Sequence, residues 1–437
     1  MNPPNLLPQP FVSAWDPSAA ATGSIDPLGA LRPFTAIAGT LLPGVTTITS
    51  RVRYLSWVCA GLRVLDTAPN APVGGRAGRA RRQRILAWER MLALATGVYA
   101  KAEGLPEGDP AWRQLRGVSY VRRAVAEGFR SPGFAMLRNQ AGVGGIGTYW
   151  VTLVAGGLVE DEAGALTPRG QALADAFLKQ SATPEMSTLG RIVSGKDIAV
   201  PEPILAAWGR VAHLGAPTKL EQRLLADAML EPSAHRRMAS ALATTGDTAA
   251  NADSFRRLQE HLASTRDPLS VQLSAVLAVA LAFEDVHREL LYRFNQILAA
   301  GHVRPVPLKS IQLSAGRASL EQLGVTLTAV LDKSRSDLPR TVAEAVQGFY
   351  SAVAATLRAR NDAELGQALI SHHERVQAGK LDASRQPKAC WVEIRGGEAV
   401  VSPRFALEAR PEPPSETEFT HPYRVEQFTN MLREAGK

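Results

Sequence analysis

The segment GVGGIG holds Gly142, Gly144 and Gly147 in the spacing G-x-G-x-x-G, and the acidic run Glu160-Asp161-Glu162 follows about 20 residues on. Those residue types suit dinucleotide binding. Glycines let the backbone turn onto a pyrophosphate at a helix N-terminus, and the acid takes a ribose hydroxyl. That chemistry needs a buried strand ahead of the glycines. The preceding SPGFAMLRNQA has no β-branched apolar run, and Phe134 and Leu137 stand at helical spacing. The glycines therefore read as a turn between two helices, and no cofactor is expected.

Other chemistry-bearing residues are scattered. FEDVHREL places Glu284 and His287 three apart beside Asp285. Glu-x-x-His serves metal sites in helical bundles when a second copy and further carboxylates are present. Only one copy occurs, so no metal is expected. His372, His373 and Glu374 are consecutive, and neighbours on a helix point about 100° apart, so they do not share a ligand face. A solvated or salt-bridged helix face is expected there. Asp382 followed by Glu393-Ile394-Arg395 resembles the metal-dependent restriction-type nuclease pattern, with arginine standing where that pattern has lysine. SGKD (Ser194–Asp197) lacks the upstream glycine spacing of a phosphate loop. Cys59 and Cys390, far apart in sequence, give neither a metal-ligand pair nor a disulfide framework.

Charge is more informative. The chain of 437 residues carries a formal +8, and residues 76–150 hold 13 Lys and Arg against 5 Asp and Glu, which is the whole surplus. Arg76, Arg79, Arg81, Arg82 and Arg84 crowd into nine residues, and Arg122, Arg123, Arg130 and Arg138 follow. A basic surplus so confined is the footprint expected for a polyanion. Arg51 and Arg53 flank the first turn of an amphipathic helix bearing Tyr54, Leu55, Val58, Leu62 and Leu65, and are expected in solvent.

The elements that must position these residues are mostly helices, at 203–214, 217–230, 232–244, 252–264, 268–300, 318–332 and 340–378. HVRPVPLKS reads as a connector, and ACWVEIRGGEAVVSPRF as a hairpin around Gly396-Gly397. EARPEPPSETEFTHP reads as a poorly packing tether before a short last helix. Val271–Phe283 is too short an apolar run to span a membrane and is read as a core helix. The N-terminus shows no leader pattern, so a cytoplasmic setting without membrane contact is expected. Between 111 and 182, Ser131 is expected to cap a helix over Gly133–Gln140. A second helix runs over Thr148–Ala155, strands LVEDE and ALT flank Ala163-Gly164, and Pro168 opens a further helix.

This order, and the letters LVAGGLVEDEAGALTPRGQALADAF, resemble the winged helix-turn-helix module of bacterial MarR/ArsR-like regulators over residues 115–180. The resemblance implies a second helix in a DNA major groove, with Thr148 and Tyr149 at its leading end, and a wing on phosphate. IGTYWVTLVA has no Lys or Arg and EDEAGA is acidic, so the neighbouring arginines are left to hold the phosphates. The expected fold class is mainly α: a multidomain helical protein with an embedded winged helix-turn-helix and a small C-terminal β-hairpin region. Its expected divisions are 1–110, 111–182, 183–385 and 386–437. The function expected is a non-catalytic DNA-binding or DNA-associated adaptor subunit of a larger bacterial assembly, in DNA processing or anti-phage defence. Its partners would be DNA, held mostly nonspecifically, and other proteins or copies of itself. The alternatives are a protein-docking scaffold and a metal-dependent nuclease.

Overall fold

The computed structural model describes residues 26–68, 77–161, 163–180, 184–314, 319–381 and 385–437. Its contacts group into two units. One joins the described residues up to Ile37 with Asn251–His421, and the other joins Ala38–Ala250 with Pro422–Lys437. The four consecutive segments read from the sequence are not how the contacts divide, because each unit is completed by a stretch remote in sequence.

The Asn251–His421 unit is built on the helix Pro268–Ala300. Asp267 caps it by accepting from the Ser270 N–H, and Pro268 takes the first turn, where no donor is missed. Leu273, Val276, Leu277, Ala280, Phe283, His287, Leu290, Phe294 and Ile297 recur at spacings of three and four, and all are buried. The helix is long and apolar enough to cross a membrane, yet most of its apolar stretch is buried in protein. Helices Ala252–Thr265, Leu320–Ser334 and Asp362–Ala378 pack on it. The helical pattern expected to run unbroken over 340–378 is two helices, Arg340–Leu357 and Asp362–Ala378. Asn361, in extended conformation, starts the second by accepting from the Glu364 N–H at 2.9 Å. An asparagine competes well for that cap and poorly for a helix interior.

A three-stranded antiparallel sheet completes this unit: β1 (Val306–Pro307), β2 (Val392–Arg395) and β3 (Glu398–Val401), in the order β1-β3-β2. Gly396 and Gly397 have φ of +58° and +81°, the left-handed pair that a two-residue hairpin turn requires. The register sets Val392 opposite Val401 and Ile394 opposite Ala399. HVRPVPLKS is more than a connector, since it supplies β1, and Pro307 there sits on an edge strand, where its missing donor is tolerated. The acidic tether also packs in its second half. Arg288 donates to the carbonyls of Glu416 and Glu418, and Phe419 meets Phe255 edge to face.

The Ala38–Ala250 unit has a tryptophan core. Trp57, Trp88 and Trp208 are essentially inaccessible. The Trp57 indole donates to the Ala212 carbonyl and that of Trp88 to the Trp57 carbonyl, each at 2.8 Å. Arg51 and Arg53, expected in solvent, are buried. Arg53 lies bidentate on Glu221 at 2.8 and 3.2 Å, and Arg51 pairs with Glu434 at 2.6 Å while donating to the Pro110 carbonyl. Helix Tyr54–Asp66 is buried on nearly every side, so its first turn enters the core and carries these two guanidiniums with it.

Candidate functional site

The glycine segment opens the helix Gly145–Ala155, and a carboxyl group of the protein is already in place there. Glu89 Oε1 accepts from the Gly145 N–H at 2.5 Å, the Ile146 N–H also donates to this carboxylate, and Gln140 Nε2 donates to Oε2 at 3.0 Å. Burial pushes the Glu89 carboxyl up, against the pull of those donors. A Cβ on Gly145 would fall 2.2 Å from a Tyr54 ring carbon, and one on Gly147 would fall 2.2 Å from the Ala141 carbonyl oxygen. The glycines let the helix seat against Tyr54 and against the short helix Gln140–Val143. An internal carboxylate fills the position a pyrophosphate would take.

Around this point the geometry departs from the sequence expectation. Residues 131–139 are not helical. Asn139, not Ser131, is the cap, accepting from the Gly142 N–H into a helix only four residues long. The strands expected on either side of Ala163-Gly164 reduce to a single bridge between Val159 and Leu166. Pro168–Leu178 is the helix expected, capped by Thr167. Thr148 and Tyr149 are buried, and the Tyr149 hydroxyl accepts from the Ser50 and Arg51 N–H groups at 2.9 and 2.8 Å. Neither side chain is placed to touch a base edge. What Gly145–Ala155 shows to solvent is Val151, 49% exposed, with no donor beside it.

The arginines sort into two groups. Arg81 is buried, paired with Asp66, and donates from Nε to the Gly164 carbonyl at 2.9 Å. Arg82 lies 4.4 Å over the Trp150 ring, whose indole donates to Asp161, so the acidic turn at 160–164 is held and partly offset by two arginines of the cluster. Arg122 pairs with Glu107 and covers Trp112 at 4.6 Å, and Arg130 pairs with Glu202. Arg79, Arg84, Arg123 and Arg138 are exposed and make no ion pair among the described residues. Arg76 lies outside the described residues.

Arg84 has company that the sequence did not disclose. It shares a concavity of about 430 Å³ with Arg191 and Lys196, lined also by Thr67, Ser187 and Ser194, and no carboxylate lines it. Arg191 and Lys196 make no ion pair among the described residues either. Helices Ala77–Arg84 and Met186–Val193 bring together cations some hundred residues apart, so no local run marks the site. SGKD supplies two of its members, Ser194 and Lys196, without forming a phosphate loop.

In the other unit, Glu284 and His287 meet a partner 137 residues from Glu284, His421. Glu284 Oε1 lies 2.5 Å from His421 Nδ1, and Oε2 accepts from both the Thr420 N–H and hydroxyl at 2.7 Å. The Thr420 oxygen is also 2.8 Å from His287 Nδ1. Burial first, and then His421, pushes His287 down to about 4, while Glu284 is held below its usual range by His421 despite burial. His372 and His373 are buried rather than solvated. His372 Nε2 bonds the Leu28 carbonyl, His373 Nδ1 bonds the Pro27 carbonyl, and His373 Nε2 accepts from the Trp391 N–H at 2.8 Å. Asp382 lies outside the described residues. Arg395 turns back on Glu393 at 2.6 Å, so the two members of the nuclease pattern that are described neutralise each other on an exposed strand. Neither family models, nor curated proteins, nor solved structures give a match to this chain.

Proposed function

We propose that the chain is a non-catalytic, DNA-associated cytoplasmic subunit that holds the phosphate backbone through its Ala38–Ala250 unit. The observation that carries this reading is the concavity of Arg84, Arg191 and Lys196, with three hydroxyls and no carboxylate in its lining. Phosphate oxygens are met there by point charges and donors that no internal acid satisfies. Charge segregation supports it: this unit holds 28 Lys and Arg against 19 Asp and Glu, or +9, and the rest of the chain 21 against 22, or −1. With Thr148 and Tyr149 buried, base-edge readout is not its mode, and binding is sequence-tolerant. The test is affinity for a short duplex across a salt series. Counting one phosphate per pocket cation, affinity falls roughly 40-fold between 50 and 200 mM salt. Binding that ignores salt, or no binding at 50 mM, overturns the reading. A protein-docking role is favoured by the apolar outer face of Gly145–Ala155, where Val151 stands exposed.

A further inference from the structure

We propose that Glu284, His287, His421 and Thr420 form a binding site for one divalent transition-metal ion of the zinc class. Three of these residues offer ligand atoms that all lie within 4.8 Å of one another, and they come from two segments: one turn of the helix Pro268–Ala300 and the end of the acidic tether. The donor set is two imidazole nitrogens, a carboxylate oxygen and a hydroxyl. That mixture selects zinc-like ions over calcium or magnesium, which want oxygen alone.

The distances favour a small ion. The Thr420 oxygen sits among the other three donors, 2.7 Å from Glu284 Oε2, 2.8 Å from His287 Nδ1 and 3.0 Å from His421 Nδ1. Four donors held about 2.0–2.1 Å from a tetrahedral ion stand roughly 3.3–3.4 Å apart. These contacts are shorter than the separations an ion would impose, so an ion entering the cluster spreads them by less than about 1 Å. As ligands both rings must present an unprotonated Nδ1 and carry their proton on Nε2, and Glu284 supplies the negative charge. The site is enclosed: Glu284 is inaccessible, His287 is buried, and Phe34 stacks on His421 at 4.7 Å. With the site enclosed and the Thr420 hydroxyl in the place that water takes in an open site of two histidines and a glutamate, the ion would serve structure rather than catalysis. Its effect is to fasten the tether at Thr420-His421 to the core helix, where Arg288 already holds the Glu416 and Glu418 carbonyls.

The experiment uses the full chain freed of metal by a chelator, titrated with Zn²⁺ alone and, separately, Co²⁺ alone. One ion per chain is expected, with the intense visible absorption of four-coordinate cobalt and a rise in melting temperature as Zn²⁺ fills the site. His421→Ala abolishes the absorption and the one-to-one stoichiometry. Thr420→Val weakens binding about tenfold or more. His302→Ala, at an exposed histidine, changes nothing. Wild-type chain that takes up no stoichiometric ion overturns the proposal and leaves the cluster a hydrogen-bonded clasp. So does His421→Ala binding that matches wild type.

Discussion

The two units balance their buried charge differently. The Ala38–Ala250 unit encloses cations: Arg51, Arg53 and Arg81 sit inside it on Glu434, Glu221 and Asp66. The Asn251–His421 unit encloses a carboxylate, Glu284, between His287, which burial keeps neutral, and His421. The first still carries +9 and the second −1. The difference teaches that an arginine count says little until burial has sorted it. Some arginines of the basic unit are framework, and among the cations left exposed Arg84, Arg191 and Lys196 converge.

The largest effect is expected at the enclosed arginines. Arg53→Ala leaves Glu221 buried without its partner, and is expected to destabilise the chain by about 3–5 kcal/mol in chemical denaturation. A loss below about 1 kcal/mol would mean the pair is ornamental to the fold.

Acid should sharpen the contrast from the other side. His373 accepts from the Trp391 N–H, and burial, with His372 and Lys380 adding to it, pushes the ring down to about 4 against the Pro27 carbonyl and Glu393. The unfolded ring takes its proton near 6.5. Stability from neutral His373 is therefore complete above that value and is lost as pH falls toward 4, by up to about 3 kcal/mol. His373→Gln should flatten this stretch of the stability profile, and an unchanged profile would refute the assignment. His213 in the basic unit is likewise lowered to about 4, by burial and then by Arg53, but it is partly exposed and its share is smaller.

Gly147→Ala places a Cβ 2.2 Å from a backbone carbonyl and is expected to cost about 1–3 kcal/mol, whereas Gly108→Ala, with nothing within 4 Å, should be neutral. Equal melting temperatures for the two variants would remove the packing explanation of GVGGIG.

Much of the fold was legible. The bounds of Pro268–Ala300 follow from its cap, its proline and its apolar period, and the Gly396-Gly397 hairpin follows from a turn only glycines make easily. The break at Asn361 was hidden because two helices of similar period meet there. The site residues were least legible. Arg81 and Arg84 are three apart in one arginine run, yet one is core and the other surface, and nothing in the run distinguishes them. Arg191, Lys196 and His421 acquire meaning only from contacts across more than a hundred residues. The glycine motif matched in letters because close packing against Tyr54 and the Ala141 carbonyl also demands glycines, and Glu89, from another helix, accepts from the Gly145 N–H.

The proposed function places a nucleic-acid backbone on the exposed cations of the basic unit. The direct measurement is the slope of log affinity against log salt for a short duplex, in wild type and in the variant Arg84→Glu, Arg191→Glu, Lys196→Glu. Loss of three phosphate contacts should make the slope shallower by about 2.7 and weaken binding to every duplex sequence alike. A variant that binds with wild-type affinity and slope would contradict the account.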